Sequence, residues 1–270
     1  MNCKIIFLDI DGTLVNSEKK ITPAVKNDLQ SAMKKGIKIA VASGRPYHGT
    51  IPSVKTLELD KNGGYVLSFN GGRIIDCKTN DVLYDVSLPY NSIVKAYNLA
   101  KKFGVQLITY KGDTILSEEP ENKYAQIEAR INDMPIVKTE NILEEIKDMP
   151  VKCLVVGDGD LLEKAEPVFR EELSGEAKVF RSEPYFIEIM PDGIDKAASI
   201  ENFIKKLGIS REETMAFGDG FNDISMIEFC GTGVAMKNGC KQILEKADYI
   251  TEYSNDEDGI AHFLEKYKII

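Results

Sequence analysis

The 270-residue sequence predicts an α/β protein with a doubly wound parallel sheet and an inserted α+β block. Three observations predict it. Short apolar runs alternate with helix signals through the first third, the βαβ rhythm that gives parallel strands and right-handed crossovers. Near residue 85 the texture changes, and hairpin signals appear among helices. After about residue 190 the βα alternation resumes, so the middle block reads as inserted. The boundaries drawn on this basis are 1–84 and 191–270 for a discontinuous core domain and 85–190 for the insertion.

The elements follow in order. IIFL at 5–8 has the length and composition of a fully buried strand, and Asp11-Gly12 after it is a turn signal. Thr22 and Pro23 read as an N-cap and first helical residue, followed by Val25, Leu29, Ala32 and Met33 at helical spacing, with Gly36 as the stop. IKIAVA (37–42) is a second strand ending in Ser43-Gly44-Arg45-Pro46, with a short helix from about 47 to 57. YVLSF (65–69) is a third, ending in Asn70-Gly71-Gly72. The insertion reads as a helix over 91–103, a hairpin from 105–110 through Lys111-Gly112-Asp113 to TILS, and a helix near 120–131. A strand at 152–156, a helix near 160–172 and strands at 178–180 and 185–190 complete it. The resumed alternation gives a helix over 195–207, the strand TMAF (214–217), a helix over 221–229 and the segment GVAM. A helix over 239–246, the strand DYIT and a terminal helix over 256–267 end it.

Bulk properties narrow the function. The composition, 43% hydrophobic and 29% charged, is that of a soluble globular protein, and the length suggests two domains. A net charge of −9 without a long basic cluster argues against a nucleic-acid surface. No apolar run reaches membrane-spanning length. Five scattered cysteines without a CxxC pair read as free thiols of a reducing, cytoplasmic compartment. With His48 and His262 the only histidines, proton transfer falls to carboxylates.

Four clusters carry chemistry. Side chains at i and i+2 of an extended segment face the same way, so Asp9 and Asp11 are expected to emerge together at a strand's carboxyl end. Open α/β sheets bind ligands at that edge. Two close carboxylates ask for a cation or a shared proton, which suggests a divalent metal with one carboxylate as nucleophile or ligand and the other as acid/base. The same residues are also what a polar turn after a strand looks like. GDGFND (218–223) places Asp219 at another strand end, with Asn222 and Asp223 entering a helix, as Mg²⁺ ligands or as turn and cap residues. Ser43-Gly44-Arg45 offers a hydroxyl, open backbone amides and a guanidinium before a helix, a phosphate cradle or an ordinary loop. Lys196 begins the helix before the Asp219 strand, either solvated or reaching the shared edge. GDGD (157–160) lacks the Asn-Asp pair and reads as a turn and helix cap, GTGVAM (231–236) is half a dinucleotide signature, and no P-loop exists.

Together, FLDIDGTL, the SGR after the second strand, the Asp195-Lys196 pair and GDGFNDISM resemble the haloacid dehalogenase-like superfamily of aspartate-nucleophile phosphatases, in order and across essentially the whole chain. Asn70-Gly71-Gly72 and GVAM followed by Asn238 resemble its Cof-type branch, which has a Rossmann-like core and a large α/β cap. The resemblance implies that Asp9 attacks phosphorus and that Asp11 protonates the leaving group, then activates water. It implies Mg²⁺ bound by Asp9, the backbone carbonyl of Asp11 and Asp219, with Asp223 supporting the metal's water shell. It also implies that Ser43 and Lys196 hold phosphoryl oxygens while Asn222 positions the lysine or the transferring group. Gly44, Arg45 and Asn70 are candidates for phosphate or substrate contact, as are His48, Arg181 and Glu188. LysAla at 196–197 and Lys237-Asn238 depart from the branch's pattern, and Lys237 is expected to be solvated. His262 is expected to pack in the terminal helix. The expected activity is hydrolysis of small phosphorylated metabolites such as sugar phosphates. Phosphohexomutase-like transfer and a catalytically silent ligand-binding protein are the alternatives.

Overall fold

The computed structural model describes residues 2–146 and 148–270, and the chain forms two compact units. The first comprises Met1–Gly44, Thr50–Tyr84 and Asp195–Ile270, and the second comprises Arg45–Gly49 and Asp85–Ile194. The cut drawn after residue 190 falls inside a strand, Phe186–Pro191, and the structure keeps that strand whole within the second unit.

The strands in chain order are β1 (Ile5–Leu8), β2 (Lys38–Ala42), β3 (Tyr65–Ser68), β4 (Arg73–Asp76), β5 (Val82–Asp85), β6 (Gln106–Lys111) and β7 (Thr114–Ser117). They continue as β8 (Ile136–Lys138), β9 (Cys153–Val156), β10 (Ala177–Glu183), β11 (Phe186–Pro191), β12 (Thr214–Gly218), β13 (Thr232–Ala235) and β14 (Tyr249–Ile250). Among the described residues they form two sheets, ordered β14-β13-β12-β1-β2-β3-β4-β5 and β10-β11-β9-β6-β7-β8.

The first sheet is parallel from β14 to β3, and β4 returns antiparallel to β3. β1 is wholly buried because it is sandwiched on both faces. Ile5 and Phe7 join Ala40, Leu67 and Ala216 in a core with the helix Lys196–Leu207, through Ile200 and Phe203. Ile6 and Leu8 point to the opposite face by strand parity, where Phe217 of β12 meets Phe263 of the helix Gly259–Lys266 edge-on. Helices on both faces make this the doubly wound α/β sheet expected. The chain leaves β1 toward β2 on one side and reaches β12 on the other, so β1 marks the topological switch point.

The second unit packs the helices Tyr90–Phe103 and Gly159–Glu172 on its sheet through Ile93, Ala96, Leu162 and Phe169. Asp158 caps the second of these helices by accepting from the Asp160 amide, as the turn-and-cap reading of GDGD anticipated. Several elements differ from expectation. β4 and β5 were not anticipated. The helix expected over 221–229 begins as a 3₁₀ turn, Phe221–Asp223, before Ile224–Phe229. The helix expected over 239–246 is the single turn Lys241–Leu244. His262 lies in the terminal helix, exposed, with its ring centroid 4.3 Å from that of Tyr253.

Candidate active site

Two adjacent parallel strands deliver the acidic residues to one edge. Leu8 pairs with Phe217, the Asp9 amide donates to the Phe217 carbonyl (3.1 Å), and Asp219 follows Gly218 at the end of β12. Asp195 caps the helix Lys196–Leu207 by accepting from the Ala198 amide, which fixes where Lys196 begins. Lys196 is fully buried, donates to Asp9 Oδ1 at 2.6 Å, and also bonds Asp223 Oδ1. The other Asp223 oxygen accepts from the amides of Asp219 (3.1 Å) and Gly220 (2.9 Å). Gly12 has φ +79°, and a Cβ there would lie 2.3 Å from Asp219 Oδ2, so a glycine is required for the two motifs to meet.

Asp9, Asp219 and Asp223 each offer a carboxylate oxygen within 4.8 Å of the others. One lysine against three carboxylates leaves an excess of negative charge. Burial, reinforced by the Asp223 charge, pushes the Asp9 carboxyl up to about 8 despite Lys196. Burial likewise pushes Asp219 up to about 6, against the hydrogen bond from Thr13. Burial works to lower the Lys196 pKa, but the charges of Asp223 and Asp9 outweigh it and keep the ammonium protonated. A hard-oxygen donor set short of positive charge fits a divalent cation of the Mg²⁺ class.

Asp11 lies beyond the end of the strand, close enough for its charge to act on Asp219. The strand ends at Leu8, so the period-two rule no longer applies, and the Asp11 side chain is 40% exposed in an ion pair with Lys19 at 2.8 Å. Its side chain lies outside the three-carboxylate group. A second chain of contacts joins three other candidates. Ser43 is buried and its carbonyl accepts from the Asn70 amide (2.8 Å), and Asn70 Oδ1 accepts from Asn222 Nδ2 (3.3 Å). Gly44 sits against the Asn70 amide group. Asn222 therefore meets Asn70, and its hydrogen bond does not go to the lysine. Phe69, Asn70 and Gly71 all have positive φ (52°, 51° and 95°), a costly run held in part by Ser199 Oγ donating to the Gly71 carbonyl (2.9 Å).

The guanidinium of Arg45 donates to the Ile131 carbonyl at 3.0 Å within the second unit. His48 Nδ1 lies 3.7 Å from Asp113, Arg181 is half-buried, and Glu188 is buried beside Lys152. Lys237 is exposed, as expected. Two residues were not singled out from the sequence as site residues. Thr13 donates to Asp219 Oδ1 (2.8 Å), and Asn238 Nδ2 donates to the Gly12 carbonyl (2.8 Å). Their signal was adjacency to motifs, Thr13 inside DIDGT and Asn238 after GVAM.

The family model described as haloacid dehalogenase-like hydrolase matches residues 6–264. The chain belongs to this family. A haloacid dehalogenase-like hydrolase from Bacteroides thetaiotaomicron is 42% identical, with a TM-score of 0.93 over 98% of this chain and 99% of that one. A protein of Streptococcus pyogenes serotype M6, provisionally named a phosphatase, is 31% identical over 99% of both chains. The structure of a sugar phosphatase of haloacid dehalogenase subclass IIB aligns with a TM-score of 0.81 at 28% identity, covering 99% of this chain and 100% of that one. Membership in the haloacid dehalogenase-like hydrolases agrees with the order of motifs along the chain.

Proposed function

We propose that the chain is a Mg²⁺-dependent phosphatase that hydrolyses small phosphorylated metabolites, sugar phosphates among them, through an aspartyl-phosphate on Asp9. One observation carries this reading: three carboxylates converge at the sheet's switch point around a buried lysine, with negative charge left uncompensated. The family match and the phosphatase names of relatives support the reaction class.

Asp9 is the nucleophile, attacking phosphorus in line with the departing ester oxygen. Lys196 bonds Asp9 and Asp223, and an ammonium has a third N–H, which is directed at a phosphoryl oxygen. Ser43, with Gly44 and Asn70 around it, binds the other phosphoryl oxygens. Asp11 donates a proton to the leaving group and then takes one from the attacking water. It must exchange its Lys19 partner to do so. Asp9, Asp219, Asp223 and the Asp11 carbonyl would hold the metal, and Thr13 orients Asp219. Mg²⁺, when bound, supplies the positive charge that neutralises these carboxylates and the phosphoryl group. The second unit acts as a cap that selects the organic part of the substrate. A net charge of −9 argues against a nucleic-acid partner and is awkward for a phosphorylated ligand, so Lys196 and the metal have to supply the local positive charge; no helix among the described residues is long and apolar enough to cross a membrane.

The test is p-nitrophenyl phosphate turnover with Mg²⁺ and with EDTA, for the unmodified chain and Asp9→Asn. Activity is expected only for the unmodified chain with metal, and Asp9→Asn is expected to lose about four orders of magnitude. Metal-independent turnover, or full activity in Asp9→Asn, overturns the proposal.

A further inference from the structure

The loop that follows β1 is tied down by side chains 226 and 240 residues further along the chain, in the same unit. Its turn satisfies its own amides. The Leu14 amide donates to the Asp9 carbonyl (3.2 Å), and the Leu14 and Val15 amides both donate to the Ile10 carbonyl (3.0 Å each). Two of its carbonyls go to asparagines. Asn238 Nδ2 donates to the Gly12 carbonyl (2.8 Å), and Asn255 Nδ2 donates to the Val15 carbonyl (2.9 Å). The asparagines are themselves joined, because Asn238 Oδ1 accepts from the Asn255 amide (3.0 Å).

Each asparagine stands on a fixed base. Asn238 lies between Met236, whose amide donates to the Gly218 carbonyl (2.9 Å), and Cys240, whose amide donates to the Asp219 carbonyl (2.9 Å). Asn255 opens the 3₁₀ turn Asn255–Glu257, which is closed by Glu257 Oε2 accepting from the Ser254 amide (3.1 Å) and hydroxyl (2.9 Å). Beside it, Asp256 accepts from the amide and the hydroxyl of Ser17 (2.6 and 2.7 Å).

Stability does not explain this arrangement. Gly12 is half-buried and Asn238 is exposed, so water replaces their bond when it is lost, and the net gain for the fold is small. The terminal helix has its own anchor in Phe263 against Phe217. What the link fixes is position. Asp11 and Thr13 flank Gly12, and Thr13 donates to Asp219 Oδ1 (2.8 Å). Because the base of Asn238 hangs on the Gly218 and Asp219 carbonyls, the loop is set against the strand end that carries Asp219. A misplacement of about 1 Å in a group acting on substrate costs about 10²-fold in rate. The same bonds are therefore small for folding and large for chemistry.

We propose that Asn238 and Asn255 are positioning residues that act through the turn at 11–15, fixing the backbone from which Asp11 reaches the leaving group. This rests on the phosphatase reading and adds residues outside its chemistry. The test compares the full unmodified chain with Asn238→Ala and Asn255→Ala at saturating Mg²⁺, on p-nitrophenyl phosphate and phenyl phosphate. Phenolate is the more basic leaving group and asks more of a general acid. Since kcat/KM covers only the steps through its departure, the comparison isolates the acid's share. In each variant kcat/KM should fall about tenfold further on phenyl phosphate than on p-nitrophenyl phosphate. Hydrogen exchange should be about tenfold faster in a peptide covering roughly residues 9–17 and unchanged in β2. The melting temperature should stay within about 4 °C of the unmodified chain. Equal losses on both esters, unchanged kinetics or unchanged exchange in that peptide overturns the proposal. So does a larger fall in melting temperature, the mark of a structural role. The phosphatase reading fails separately, if the unmodified chain turns over neither ester, and the exchange rates then still decide whether the asparagines hold the turn.

Discussion

Replacing Lys196 with methionine keeps the length of the side chain and removes the cation that Asp9 and Asp223 share. All three side chains are buried, at 0%, 9% and 1% exposure, so water does not substitute for the lost charge. At 2.6 Å and an effective dielectric near 20, the attraction between Lys196 and Asp9 alone is about 6 kcal/mol. Desolvation of the lysine offsets part of this, and removing one partner of a buried ion pair costs about 3–5 kcal/mol net. At about 2–4 °C per kcal/mol for a unit of this size, the metal-free protein should melt roughly 6–20 °C lower. The loss should shrink at acid pH, where one carboxylate takes up a proton in place of the ammonium. Lys196→Met combined with Asp223→Asn should be more stable than Lys196→Met alone, because one of the two stranded charges is gone. Scanning calorimetry in EDTA at about pH 5 and pH 8 measures all of this. A loss below about 1 kcal/mol that is insensitive to pH, with no recovery in the double variant, refutes the account of Lys196 as the cluster's counter-charge.

The pH dependence of metal binding follows from the same cluster. Asp9 and Asp219 bind protons more tightly folded than unfolded, with carboxyls raised from 3.8 to about 8 and about 6. Their contribution to the stability of the metal-free chain is therefore lost as pH rises through that window, and added Mg²⁺ should raise the melting temperature more at pH 8 than at pH 5. An equal increment at both pH values contradicts it. Thr13→Val removes the donor to Asp219 and should weaken Mg²⁺ binding by about tenfold, read by metal titration, with little change in the far-ultraviolet spectrum. Gly12→Ala forces a left-handed alanine into the Asp219 carboxylate and should cost about 1–3 kcal/mol, measured by urea denaturation, along with most of the Mg²⁺ affinity. Near-wild-type values for that variant would mean that the loop relaxes freely.

Much of the first unit was legible because buried parallel strands are short, continuous apolar runs. IIFL and TMAF announced themselves, and the residues just after them had to lie at the carboxyl edge. β4 and β5 gave no such signal. RIID and VLYD are short, lie at the antiparallel end of the sheet and are only partly buried. Period two could not place the Asp11 side chain, because periodicity holds only while the strand continues and β1 ends at Leu8. The burial of Lys196 depends on carboxylates 187 and 27 residues away, which no local pattern reveals. Arg45 shows the converse, since a motif position does not fix a long side chain's partner, and here the chosen partner is a helix carbonyl.

The central place of β1 also sets a timetable for synthesis. β1 is made before the other strands of its sheet, yet one of its two hydrogen-bonding edges is completed by β12, which begins at Thr214. At roughly 5–20 residues per second, a ribosome needs about 10–40 s to cover that interval. Throughout it, a four-residue apolar strand that ends up wholly buried has an open edge in the nascent chain. The whole second unit is translated during this wait and is free to fold first. Slowing elongation should therefore prolong the nascent chain's dependence on holding chaperones.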